Sequence, residues 1–418
     1  MIQVIENGVL GTQTPYIYQK SCHTKPPRGY TPFFINHLGR HGARYLTKVT
    51  NLEKIITTLE EAEGQGQLTL QGRTLIIPLK KLFTLESGNE GLLTCSGYTM
   101  EAGIASRMYQ NYPEVFGRRV EAVSTYVERT KQSMEAFLMA LGAYTDARCF
   151  RYRSNGKVDP ILRFFDINEA YLAYKENGNW KKRLTQYEKR QTISEKVLKK
   201  IFKVAYLTNI ESPEEWVKDL YKIYANQFDV GTCTTIGQFF TEEDLCYLWE
   251  NENVRQYLLK GPSNVGQVLP TNIAFPLLMD FIYTSEEAIR TRKYSAYLRF
   301  AHAETIIPFA GLLRLLGFFN QTDSMGQVAV LWQDYLVSPM AANLQWIFYA
   351  HPTCKTILVK ILYNESEVHL PLRWIEGPYY DYQVLRSFYL KQLYSMHLNW
   401  ELPLVEMLKK YTILNKLQ

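Results

Sequence analysis

Residues 40 to 44 read Arg-His-Gly-Ala-Arg, placing a histidine between two arginines with a glycine beside it. An imidazole with an ordinary pKa of about 6.5 is largely neutral at pH 7, so one ring nitrogen is a competent nucleophile. Guanidinium groups stay charged at every working pH and grip a phosphoryl group through paired N–H donors. Gly42 removes a side chain where backbone must approach a ligand or turn sharply. The pattern is that of a nucleophile inside a phosphate clamp.

Two other places offer matching chemistry. Arg129 follows the alternating, β-branched run VEAVSTY (120 to 126) and opens ERTKQSMEAFLMALG, where Met134, Phe137, Leu138 and Leu141 fall at helical spacing. A helix start presents free N–H groups that attract anions. On local evidence alone Arg129 also fits an ordinary exposed arginine. His302-Ala303-Glu304 stands between the strand-like YLRFAHA and the apolar TIIPFAGLLRLLGFF. Thr305 is the expected N-cap of that helix, and Pro308 is expected in its first turn, where no intrahelical N–H is needed. Glu304 can protonate a leaving alkoxide or simply hold His302.

The elements that must position these groups follow from periodicity. Phe33 to His37 is apolar enough for a buried strand, which puts the Arg-His-Gly cluster at a strand's carboxyl end, where open α/β sheets bind ligands. His37 reads as a core or supporting histidine. A turn-rich lead (11 to 32) precedes this strand; helices are expected from 48 to 63 and from about 96 to 112. Further strands are expected near 294, 343 to 350 and 356 to 363, with a helical tail from 382 to 416. Residues 148 to about 290 lose this alternation and become rich in Tyr, Lys and Glu. The expected organisation is therefore a discontinuous α/β core, 1–147 and 291–418, carrying an α-helical cap at 148–290.

Composition narrows the class. With 46% apolar and 21% charged residues, the 418-residue chain is neither disordered nor fibrous. Its most apolar run, 306 to 319, is interrupted by Arg314 and too short to span a bilayer. Between Lys175 and Lys203, ten Lys or Arg face three Glu, an excess of seven, so the rest of this +6 chain is close to neutral. That run is a solvated helix face or an attractant for a polyanion. Six scattered cysteines show no CxxC or metal-ligand spacing and fix no disulfide pairing. No secretory signal stands at the start, which by itself assigns no compartment.

Taken together, GTQTPY, HLGRHGARY, STYVERTKQSMEAF, LRFFD, FAHAET, SPMAANLQW, LYNESEVHLPL and GPYYDY, in that order from about 11 to 381, resemble the histidine acid phosphatases. Within that clade the chain looks most like the bacterial multiple inositol polyphosphate phosphatases. The resemblance implies a mixed sheet flanked by helices, and stepwise hydrolysis of phosphomonoesters on inositol polyphosphates such as phytate. It implies His41 as the phosphate-accepting nucleophile, Arg40, Arg44, Arg129 and His302 as phosphate ligands with Lys48 beside them, and Glu304 as proton donor. It further implies no metal or organic cofactor, an anionic small-molecule substrate, no need for nucleic acid, and a periplasmic or secreted protein. Leu46 stands where RHGxRxP members carry Pro, a departure expected to change loop stiffness and not chemistry. A broad acid or sugar phosphatase, a mutase returning phosphate to product, and a non-catalytic polyanion binder are the other readings.

Overall fold

Strand β1 (Thr31–Arg40) is buried from Phe33 to Arg40 and lies between β4 (Tyr294–Ala301) and β5 (Asn343–Ala350). The computed structural model describes residues 8–20, 23–232 and 235–413. Cys22 and Cys233 fall outside these; Cys95, Cys149, Cys246 and Cys354 are free thiols. The sheet order is β3-β2-β4-β1-β5-β6-β7, with β2 at Arg119–Ser124, β3 at Phe150–Ser154, β6 at Leu358–Tyr363 and β7 at Ser366–Glu367; β8 (Tyr379–Asp381) also pairs with β6. The β3-β2-β4-β1 half is parallel, and β5 and β6 run antiparallel. This is the mixed, helix-flanked sheet expected from the sequence.

Alternation along β1 divides the core. Ile35 joins Ala296, Leu298 and Phe300 beneath the helices Cys95–Asn111 and Glu128–Gly142, which contribute Ile104, Met108, Phe137 and Leu141. Phe34 and Leu38 face the opposite side, toward Phe281, Ile307 and Trp346. His37 is buried between the Phe137 and Phe300 rings, and burial holds it neutral, with its pKa lowered to about 3. It is a core histidine. Asn36, on the other face, donates to Phe281 O, Thr284 and Ser285 of the helix Phe275–Thr291.

Two expectations need correction. First, the 148–290 segment is not helical throughout. Its opening residues form β3, which pairs with β2, and its last helix, Phe275–Thr291, packs on the sheet. The separate helical layer instead combines two distant stretches. Leu52, Ile55, Leu59, Leu79 and Leu82 share one cluster with residues between Ile193 and Trp249. Each helix there carries only one apolar stripe, so stripes from both stretches must meet to leave water. The helical pieces Leu70–Arg73 and Ile76–Glu86 lie between the first two expected helices, where no element was expected. Second, the helix after β4 begins at Ala303 with His302 at its N-cap, and Pro308 lies inside it. The Thr305 hydroxyl donates instead to Leu162 O at 2.7 Å, tying this helix start to the 162–166 loop.

Candidate active site

The register of β1 against β4 sets the centre. Arg40 lies opposite Ala301, and the His41 N–H donates to Ala301 O at 3.0 Å, so the residues after both strands emerge together. The His41 and His302 rings meet edge to face at 5.7 Å. Thr125, at the end of β2, donates its N–H to Phe300 O and brings the helix Glu128–Gly142 to the same edge. Arg129 occupies that helix's first turn, and its Nη2 is 3.4 Å from His302 Nδ1. Sequence positions 41, 129 and 302 therefore converge at the carboxyl end of three adjacent parallel strands.

His41 is held in one tautomer. Its Nδ1 lies 2.9 Å from Gly42 O, which can only accept, so Nδ1 carries the proton and Nε2 keeps its lone pair. Burial, then the charges of Arg129 and Arg40, keep the ring far below its ordinary pKa and neutral. Gly42 is required by close packing. A Cβ there would lie 2.6 Å from Gly97 O, and one on Gly97 would lie 2.2 Å from Ala43 O. The Gly42 N–H donates to Ser133 Oγ at 3.1 Å, and that hydroxyl donates to Arg129 O at 2.8 Å. One serine thus couples the nucleophile loop to the arginine helix.

Arg40 is anchored by the strings that flank it at a distance. Its Nη1 donates to Thr12 O and Ser338 O, both at 2.6 Å, and its N–H donates to Ala342 O. GTQTPY and SPMAANLQW are therefore its supports. Arg44 donates to Tyr45 O at 2.9 Å, and Asn226 Nδ2 donates to Arg44 O at 3.1 Å. Burial lowers all three guanidinium pKa values, and the Arg44 charge adds to this for Arg40 and Arg129, which fall to about 10; all three stay cationic at neutral pH. The Nε atoms of Arg40 and Arg129 are buried with no hydrogen-bond partner. Buried donors without acceptors are costly, and an anion seated among them would supply what they lack. Lys48 is exposed ahead of the helix Thr50–Gly64, with no hydrogen bond or ion pair to this group among the described residues.

Four groups here escaped the sequence reading. Arg163, within LRFFD, places Nη1 3.0 Å from His302 Nε2. Guanidinium only donates, so His302 Nε2 accepts from Arg163, the shorter of its two arginine contacts. Arg163 is itself held by Asp166 and stacked on Phe165 and Tyr126. Asp229 is fully buried, and burial raises its pKa to about 8 against the pull of Arg44 and Arg40. A largely protonated Asp229 leaves the arginine charge uncancelled. Glu86 accepts the Leu46 N–H at 2.6 Å. Lys260 pairs with Glu304 at 2.7 Å, and although burial opposes it, the Lys260 charge holds that carboxylate well below its ordinary range. Of the four, only Arg163 lay in a string the sequence singles out. The other three are single charged residues at or just past the ends of remote helices.

The basic run divides. Lys182 and Arg183 border a surface pocket with Asp323 and Met325, and Arg183 pairs with Asp323. Lys181 borders a different cavity, beside Lys218, Lys222 and Arg255.

Comparison with known proteins adds the following. Residues 34–364 match the model of the histidine phosphatase superfamily (branch 2). No curated protein matches. The multiple inositol polyphosphate phosphatase of Bifidobacterium longum superimposes with a TM-score of 0.81 in its inositol hexasulfate complex, at 22% identity over 91% of this chain and 97% of that one. Its phosphate complex gives 0.82 at 22% identity, over 92% and 98%. The phytase of D. castellii gives 0.69 at 16% identity, over 98% and 89%. At such identities the likeness carries the fold. Among the described residues no helix is long and apolar enough to cross a membrane.

Proposed function

Because the chain belongs to the histidine phosphatase superfamily (branch 2), we propose that it hydrolyses phosphomonoesters of inositol polyphosphates through a phosphohistidine on His41. The observation that carries this reading is a neutral His41 with Nε2 free, facing arginines whose buried Nε donors lack acceptors. Phosphoryl transfer asks mainly for in-line positioning and charge stabilisation. Arg40, Arg44 and Arg129 supply the charge, and the neutral His302 ring stands beside them.

In the first step Nε2 bonds to phosphorus while the P–O ester bond breaks. The departing alkoxide takes the proton of a protonated Glu304. In the second, water attacks phosphorus, Glu304 takes a proton from that water, and the N–P bond breaks to release inorganic phosphate. The inositol polyphosphate class rests on the folds that match over nearly the whole chain. The layer built from 52–82 and 193–249 serves in this reading as the cap, and export from the cytoplasm is the compartment it implies.

Rapid quenching with labelled substrate tests the mechanism: an acid-labile phosphoenzyme is expected in the wild type and none in His41→Ala. A panel of inositol polyphosphates, sugar phosphates and p-nitrophenyl phosphate, with product isomers resolved, tests the substrate class. Equal kcat/KM across the panel would favour a broad acid phosphatase. Cell fractionation tests the compartment.

A further inference from the structure

Glu304 cannot donate a proton in the state the structure describes. It sits in the first turn of Ala303–Leu312, two residues after His302, with Oε1 2.7 Å from Lys260 Nζ. Lys260 closes the helix Glu242–Leu259 and its side chain is only 11% exposed, whereas the Glu304 side chain is 38% exposed. A nearly buried ammonium needs an anion beside it, and Glu304 is that anion. The neighbouring cation on the same helix is engaged elsewhere: Arg255 forks onto Glu252, which also accepts from Gln256. Around Glu304 the other charged or titratable groups include His302, Arg40, Arg44, Arg129, Arg255 and the buried, neutral Tyr171. Every cation near it favours the carboxylate over the acid.

A general acid must hold a proton when the alkoxide leaves. We infer that Lys260 makes turnover depend on a second phosphate group of the substrate. That phosphate displaces Glu304 from the ammonium, and Glu304 then takes a proton from solvent and becomes the acid. A phosphate ester brings up to two negative charges and three acceptor oxygens, so it satisfies Lys260 better than one carboxylate does. The same negative charge, now beside Glu304, favours its protonated form. A monophosphate, whose only phosphate is taken by the arginine clamp, has nothing to offer Lys260 and leaves Glu304 ionised. Lys260 is in this sense a positioning residue that discriminates polyphosphates from monophosphates by rate as well as by binding.

The inference rests on the proposed phosphohistidine mechanism with Glu304 as acid, and one set of measurements separates the two. The purified full chain is assayed with inositol hexakisphosphate and glycerol 2-phosphate, two esters with basic leaving groups, as wild type, Lys260→Met, Lys260→Arg, Glu304→Gln and Lys260→Met/Glu304→Gln. Lys260→Met is expected to raise kcat for glycerol 2-phosphate by about tenfold while lowering kcat/KM for the hexakisphosphate, so their ratio falls by roughly a hundredfold; each tenfold step is ~1.4 kcal/mol. Lys260→Arg should keep the wild-type ratio, and the Glu304→Gln background should erase the gain on glycerol 2-phosphate. Equal losses on both esters in Lys260→Met, with circular dichroism unchanged, would overturn the inference and leave Lys260 a plain phosphate ligand. If Glu304→Gln instead costs inositol hexakisphosphate and p-nitrophenyl phosphate equally in phosphoenzyme formation, the parent assignment of the acid fails.

Discussion

The Leu46 N–H donates to the Glu86 carboxylate at 2.6 Å, linking the loop that follows the nucleophile to the end of the helix Ile76–Glu86. Proline, expected at position 46 from the resemblance, has no N–H to give. The departure from RHGxRxP is thus matched by a carboxyl group that receives the freed donor. Glu86 Oε1 is buried without a partner, and burial pushes the carboxyl up to about 7 despite Leu46 and Arg44. An acid whose folded pKa exceeds its ordinary 4.5 stabilises the fold below pH 4.5 and loses that contribution as pH rises through about 7. Glu86→Gln, which keeps an acceptor and no charge, should match the wild type in melting temperature near pH 4.5. Above pH 7 it should be the more stable protein by up to ~3 kcal/mol. A wild type that gains on Glu86→Gln as pH rises would contradict this. Leu46→Pro should destabilise throughout, because it strands the carboxylate.

Glu304→Gln should damage inositol polyphosphates, whose leaving groups are basic, by ~10²–10⁴-fold in kcat, the usual worth of a general acid. p-Nitrophenolate leaves without help, so p-nitrophenyl phosphate should lose little in the first step. The comparison is made on phosphoenzyme formation rates, where the leaving group matters.

Arg163 acts through His302. Arg163→Met removes the donor at His302 Nε2 and one of the charges that keep that ring neutral. A hydrogen bond from a charged donor is worth about 1.5–3 kcal/mol, so kcat should fall roughly 10- to 100-fold. Removing a nearby positive charge raises a histidine pKa, so the acid limb of the pH profile should move to higher pH. Arg163→Lys should hold that limb near its wild-type position. A fall in kcat with no movement of the limb would mean that Arg163 only packs against Phe165.

Gly97→Ala drives a Cβ into Ala43 O and within 2.8 Å of Leu93 Cγ. Relief requires the Arg-His-Gly loop to shift, at a stability cost of ~1–3 kcal/mol. Because Ala43 moves with His41, kcat should drop well beyond what the modest change in melting temperature implies. Unaltered kcat with a lowered melting temperature would show that the loop absorbs the methyl elsewhere.

What the sequence determined by itself lies within a few residues of each group. The strand ending at Arg40, the strand-to-helix turn around Arg129, and the His302-Ala303-Glu304 junction are local events, legible from alternation, helical spacing and the residues at their borders. The clamp chemistry was readable for the same reason, since Arg40, His41 and Arg44 are neighbours in the chain. Tertiary structure decided everything that joins distant segments. Pairing β4 between β1 and β2 brings residues 41, 129 and 302 together, and neither strand's pattern names its partner. Glu86, Asp229 and Lys260 carry no local signature, because a charged residue near a helix end reads as solvated until the opposing surface is known. The helical layer misled for a related reason: an apolar stripe at 52–62 announces that it must be buried, yet only packing reveals that its partner lies at 193–249. The basic run shows the same division, its charge written in the sequence and its direction set by the helix Trp180–Glu188, which turns Lys181 and Arg183 toward different cavities.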